Sequence, residues 1–152
     1  MTCLKYGTSF DEHGANVHVK GGRSDGTVLF FSVDDQSNPR STLREDLKIE
    51  GKICDLLIFY APKGSDTKVL CLVELKGSDI TRAVKQIKST YQSLKSTFNR
   101  THLQEIEWKA YVLTTGSSPR NIKENKNRLI ETFDKKNCDI SRKSDLTGFI
   151  CG

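Results

Sequence analysis

Between Lys52 and Lys76 the chain reads KICDLLIFYAPKGSDTKVLCLVELK, two apolar runs joined by a polar turn, with charges set inside segments that otherwise read as core strands. Asp55 interrupts Ile53–Tyr60, and Glu74 and Lys76 interrupt and end Val69–Lys76. A charge buried without compensation is costly, so residues of this kind sit at a surface, pair with each other, or hold a cation. Pro62, Gly64, Ser65 and Asp66 mark a turn between the two runs, which predicts a hairpin. Alternation along a strand puts Glu74 and Lys76 on one face and Leu75 on the other, and the hairpin can bring Asp55 beside Glu74. Two carboxylates and an ammonium would then converge on one spot. Oxygen ligands of this kind suit a hard divalent cation such as Mg2+, and a neighbouring lysine can orient a water or neutralise phosphate charge.

An aspartate on one strand followed on the next by Glu-x-Lys resembles the PD-(D/E)XK nuclease superfamily, the restriction-endonuclease-like fold. Gly77 after the second strand and an amphipathic helix beyond it support the likeness, and Cys54 stands where the family name places proline. The resemblance covers about residues 38–133 and implies an α/β sandwich, a mixed central sheet flanked by helices, to which the N-terminal pattern described below adds a β-hairpin. It implies a metal-dependent phosphodiesterase, an endonuclease rather than an exonuclease, acting on nucleic acid, DNA rather than RNA. In that reading Asp55, Glu74 and the Leu75 carbonyl hold Mg2+ or Mn2+, and Lys76 orients the attacking water. Glu45, in the segment before the first catalytic strand, and Gln86, on the following helix, take the places of a further acidic ligand and of the helix glutamine some branches keep near the metal. The tyrosine usual four residues after that glutamine is missing, and Tyr91 lies one place late. The alternative is a catalytically inactive module on the same fold that binds nucleic acid or a protein partner. A third reading makes Asp55, Glu74 and Lys76 a buried ion cluster, which is costly in desolvation. In a metal site, removing either carboxylate is expected to leave the metal-free fold level or slightly more stable; in an ion cluster it is expected to be costly.

At 152 residues the chain is read as one domain spanning 1–152. Lys plus Arg number 24 against 19 Asp plus Glu, a net charge of +5, which mildly favours a polyanionic partner. The start, MTCLKYGTSFDEHG, lacks the basic and apolar regions of a signal peptide, and no apolar run approaches a membrane span. A cytoplasmic protein with no membrane partner is therefore expected, with a homodimer left open. Five scattered cysteines with no C-x2-C pair argue against zinc and a disulfide framework.

Asn16–Lys20 and Thr27–Val33 alternate around a glycine-containing tip, predicting a hairpin whose Lys20 and Arg23 either touch a nucleic-acid backbone or face solvent. Residues 38–50 contain Thr42-x-x-Glu45, a capping-box pattern that predicts a short helix. After Ser78 as N-cap, Ile80, Ala83, Val84, Ile87, Tyr91, Leu94 and Phe98 form one helical stripe. Arg82, Lys85 and Lys88 lie off the stripe, and Lys123 and Lys126 make a second basic surface on a helix opened by Ser117-Ser118-Pro119. Each surface is either a phosphate contact or an ordinary solvated face. Trp108–Thr115 reads as a strand, and Leu146–Cys151 as a last short one.

Overall fold

The computed structural model describes residues 4–5, 9–12, 14–20, 25–33, 45–49, 51–75, 79–115 and 120–152. Its central element is a mixed sheet of five main strands, β4 (Gly26–Ser32), β5 (Leu56–Pro62), β6 (Lys68–Glu74), β7 (Ile106–Leu113) and β8 (Cys138–Ser141), side by side in that order. The two-residue β1 (Leu4–Lys5) extends the β4 edge. β4, β5 and β6 run antiparallel to their neighbours, while β6, β7 and β8 are parallel. β5 and β6 form the expected hairpin, and Gly64, at φ 74°, supplies the left-handed residue of its turn.

Parallel neighbours need crossovers, and the chain makes two. The helix α1 (Ile80–Thr97), followed by the short α2 (Arg100–Gln104), joins β6 to β7, and α3 (Ile122–Phe133) joins β7 to β8. Both crossovers step in the same direction along the sheet, so a uniform hand places both long helices on one face. On that face Ile80, Ala83, Val84, Ile87 and Leu94 of α1 and Leu129 and Phe133 of α3 pack on Leu57, Leu70, Leu72, Ala110 and Val112. Tyr91, one place late for the helix tyrosine of the resembled family, is spent in this core, its ring 5.1 Å from Trp108 and 5.0 Å from Phe133. The opposite face, with Leu56, Ile58, Cys71, Val73 and Tyr111, is covered by Phe10, Ala15 and Val17 from an N-terminal hairpin, by Ile150 of α4 (Thr147–Cys151) and by Leu146, the residue that caps it.

That hairpin is not the expected one. β3 (Ala15–His18) pairs with β2 (Ser9–Glu12) in a separate two-stranded sheet, and β4 pairs with β5 instead. β4 carries Val28, Leu29, Phe30 and Phe31 in succession, which suits a strand covered on both faces, whereas β2 has a single apolar residue, Phe10, and gives little periodic signal. Gly26 opens β4 at φ 150°, where a Cβ would collide with the Ala61 carbonyl oxygen. The tail is also corrected: Leu146–Cys151 is a helical turn, and the last strand is Cys138–Ser141. Leu146, Phe149 and Ile150 stand at helical steps of three and four, a signal that the density of apolar residues obscured. The cap of α1 is Asp79 rather than Ser78, its Oδ1 accepting from the Arg82 N–H at 3.0 Å. β7 begins two residues earlier than expected, and α3 begins at Ile122 after Asn121 in the left-handed region. Of the expected 38–50 helix, Glu45 and Asp46 are helical and turn at Leu47–Lys48; 38–44 and 50 lie outside the described residues, as do Arg23, Lys76, Ser78 and 116–119. Among the described residues no helix is long and apolar enough to cross a membrane, and Cys54, Cys71, Cys138 and Cys151 are all free thiols.

The N-terminal hairpin is clasped to the C-terminal segment. His18 N–H donates to Ser144 O and Leu146 N–H to His18 O, both at 2.9 Å. Asp145 Oδ1 accepts from the Thr147 hydroxyl at 2.6 Å and its N–H at 3.0 Å, while Oδ2 lies 3.5 Å from His18 Nε2 and 3.8 Å from Lys20 Nζ. The Thr147 hydroxyl, then its N–H, then His18 and Lys20 hold the Asp145 carboxyl below its usual range. A lowered carboxyl pKa stabilises the fold in full above the unfolded value, about 4, and loses that contribution as pH falls below it. The His18 and Leu146 amides should therefore lose hydrogen-exchange protection below pH ~4, and D145N should remove that pH dependence.

Candidate metal and phosphate site

The β5–β6 register pairs Leu56 with Val73, so one step further Asp55 faces Glu74. Directly opposed residues of an antiparallel pair share a face. Asp55 and Glu74 have the parity of Leu57 and Leu72, which places them on the α1 face at the end of the sheet from which α1 departs. Leu75 points to the opposite core, as alternation requires. Both carboxylates are half-buried, and Glu74 Oε2 is wholly shielded from solvent. Burial pushes the Cys54 thiol up and the Thr90 hydrogen bond opposes this. The charges of Glu74 and then Asp55 push it further, so both carboxylates are felt at the same neighbouring atom.

Asp55 is fixed from three sides. Its Oδ2 accepts from Leu75 N–H at 2.7 Å, locking the aspartate to the residue after Glu74. Its own carbonyl accepts from Val33 N–H at 2.9 Å, at the end of β4. The two residues before it are clamped by α1: Gln86 Nε2 donates to Ile53 O at 3.0 Å, and the Thr90 hydroxyl accepts from Cys54 N–H at 2.9 Å while donating to Gln86 O at 2.8 Å. Gln86 and Thr90 are buried polar side chains on the flank of the helix stripe, where each backbone group of a non-ladder segment must find a partner. Gln86 thus acts on the backbone that carries Asp55. Thr90 gives only a faint signal in the sequence, a threonine one turn after Gln86 beside the apolar stripe.

The Leu75–Asp55 bond corrects one expectation. The two carboxylates are not equivalent in the metal-free protein, because Asp55 holds a backbone donor that its deletion would strand.

The remaining candidates are dispersed. Lys76 lies outside the described residues. Glu45 is exposed, and among the described residues no third His, Cys, Asp or Glu joins Asp55 and Glu74 in a cluster able to hold a metal ion. Lys20 is exposed beside Asp145, on the hairpin that covers the other face of the sheet. Arg82 and Lys85 are exposed and Lys88 half-buried on α1. On α3, Lys123 is exposed, but Lys126 Nζ is 2.8 Å from Asp139 Oδ1 and Arg128 is 2.6 Å from Glu124, so much of that basic surface is neutralised within the protein.

A cleft of about 470 Å3 opens along α1 beside the clamp, with Lys52, Arg82, Lys85 and Ser89 around it and Gln86 in its wall. Comparison with protein-family models, with curated proteins and with solved structures finds no match to this chain.

Proposed function

We propose that the protein is a metal-dependent nuclease that hydrolyses phosphodiester bonds, with Asp55 and Glu74 as its metal ligands. The observation that carries this reading is the placement of two carboxylates opposite each other at one sheet end, on the helix face, with Asp55 held by Leu75 N–H. The donor set, two carboxylates and a neighbouring backbone carbonyl, is all oxygen and fits Mg2+ or Mn2+, which keep several waters and need few protein ligands. When bound, such an ion supplies Lewis-acid stabilisation of the phosphoryl oxygens and lowers the pKa of a coordinated water. The chain's own contribution is to hold Asp55 in place, through the clamp on Ile53 and Cys54 and the Leu75 N–H, opposite Glu74 at the end of β6. Lys76, two residues after Glu74, is assigned the orientation of the attacking water.

A second reading, a non-catalytic module that binds nucleic acid or a protein partner, draws on the exposed cations Lys52, Arg82 and Lys85 around the cleft beside α1. Incubation of the purified chain with labelled linear, circular, branched and single-stranded nucleic acids separates the two. Cleavage should appear with Mg2+ or Mn2+ and vanish in excess chelator. Full cleavage in chelator would overturn the metal mechanism, and binding without cleavage under every condition would establish the module.

A further inference from the structure

The two basic helix faces look alike in sequence, yet they differ in their surroundings. On α3, Lys126 and Arg128 are engaged by Asp139 and Glu124. The ion pairs formed among the described residues involve none of Lys52, Arg82 and Lys85. These three exposed cations, from two separate chain segments, instead gather around the cleft beside α1. We infer that this cleft is a subsite for the phosphodiester backbone of a nucleic-acid strand, gripping it a few nucleotides from the Asp55–Glu74 pair.

Among the cleft's other polar groups, Gln86, Thr81 and one oxygen of Asp79 are engaged inside the protein; the exposed Asp79 keeps its negative charge, which the three cations outnumber. Gln86 donates to Ile53 O, Asp79 caps α1 through the Arg82 N–H, and the Thr81 hydroxyl accepts from Asn125 Nδ2 at 3.1 Å. Arg82, Lys85 and Ser89 stand three and four residues apart on one side of α1, a row of about 10 Å at 1.5 Å per residue. Lys52 closes the cleft from the segment leading to Asp55. Three residues of chain reach at most about 11 Å, and one strand of a duplex rises about 3.4 Å per nucleotide. A strand lying along the row therefore holds two or three phosphates among these groups, with the next within reach of the carboxylates. Among the described residues of the lining there is no aromatic side chain, which favours recognition of backbone charge over stacked bases. The subsite rests on the nuclease reading only for its place beside the reacting phosphate.

The test measures binding apart from catalysis. Fluorescence anisotropy of labelled single-stranded DNA and RNA oligonucleotides is followed in chelator at several salt concentrations. The chain is compared with K52Q/R82Q/K85Q and with K135Q/K136Q/K143Q, which removes three exposed lysines elsewhere. All substituted side chains are exposed, and equal melting temperatures confirm that both variants fold. Losing three phosphate contacts should weaken binding about 100-fold at 0.1 M salt and reduce the slope of log affinity against log salt by about 2. The control should bind like the wild type. Equal losses in cleft and control variants, or no binding of either nucleic acid by the wild type, would overturn the subsite. So would displacement of the oligonucleotide by polyglutamate of equal charge at the same concentration, which would mark an acidic-protein site. Cleft-dependent binding in a protein that never cleaves would leave the subsite standing and remove the nuclease reading. Cleavage undiminished in the cleft variant, with unchanged affinity, would do the reverse.

Discussion

Glu74→Ala should reduce metal-dependent cleavage to background while the metal-free melting temperature stays level or rises; Asp55→Ala should abolish cleavage and lower that temperature. Opposed carboxylates about 4 Å apart repel by roughly 1 to 4 kcal/mol, depending on the local dielectric. Removing Glu74 relieves that repulsion. Removing Asp55 relieves it too, but leaves Leu75 N–H without the oxygen that holds it at 2.7 Å. A hydrogen bond to a charged group is worth about 1.5 to 3 kcal/mol, which offsets the relief and turns the balance against the variant. Asp55→Asn separates the two effects, because an amide oxygen can still accept from Leu75 N–H while the ligand charge is gone. It should keep more of the metal-free stability than Asp55→Ala and show neither cleavage nor thermal stabilisation by Mg2+. A large stability loss in Glu74→Ala would point instead to a structural ion cluster, in which Glu74 compensates a buried cation.

The second large effect concerns the layer beneath the site. Leu72 is fully buried between β6 and α1, and Leu72→Ala should cost about 2 to 5 kcal/mol through lost burial and the cavity left behind. At about 2 to 4 °C per kcal/mol for a chain near this size, the shift is easily read in a thermal melt. Below its own melting temperature the folded variant should cleave at close to the normal rate. Thr90→Val keeps the volume of a fully buried side chain but removes the oxygen that accepts from Cys54 N–H, at a cost of about 1 to 3 kcal/mol. Although its stability loss is smaller, it should weaken Mg2+ binding and slow cleavage at saturating substrate, because the backbone leading to Asp55 loses one of its anchors. Thr90→Ser, which restores the hydroxyl, should recover both. If Leu72→Ala and Thr90→Val impair cleavage only in proportion to their lost stability, the clamp is structural and does not position Asp55.

By itself the sequence determined the local pairing at the centre of the molecule. A hairpin needs only a turn and two apolar runs, so 53–60, 69–75 and the turn between them were legible, and period two set the facing of Glu74 and Leu75 before any tertiary contact was known. The α1 stripe was equally plain, since seven apolar residues at steps of three and four admit one face. Tertiary structure decided what depends on residues far apart in the chain. β4 joined β5 rather than β3, and so lies in the central sheet, where Phe30 faces the hairpin-side core and Phe31 the helix-side core. The fate of Leu146–Cys151 rested on a sheet face wide enough for a helical turn as well as a hairpin. Gln86 and Thr90 became a clamp only because the Ile53–Cys54 backbone, outside any ladder, needed hydrogen-bond partners 33 to 36 residues away. The two basic helix faces differ in sequence only by Glu124 one turn before Arg128 on α3; the pairing of Lys126 needed the tertiary structure. Asp139, brought by β8 against Lys126, and Glu124, one turn before Arg128, separate the neutralised face from the one that still presents its charge.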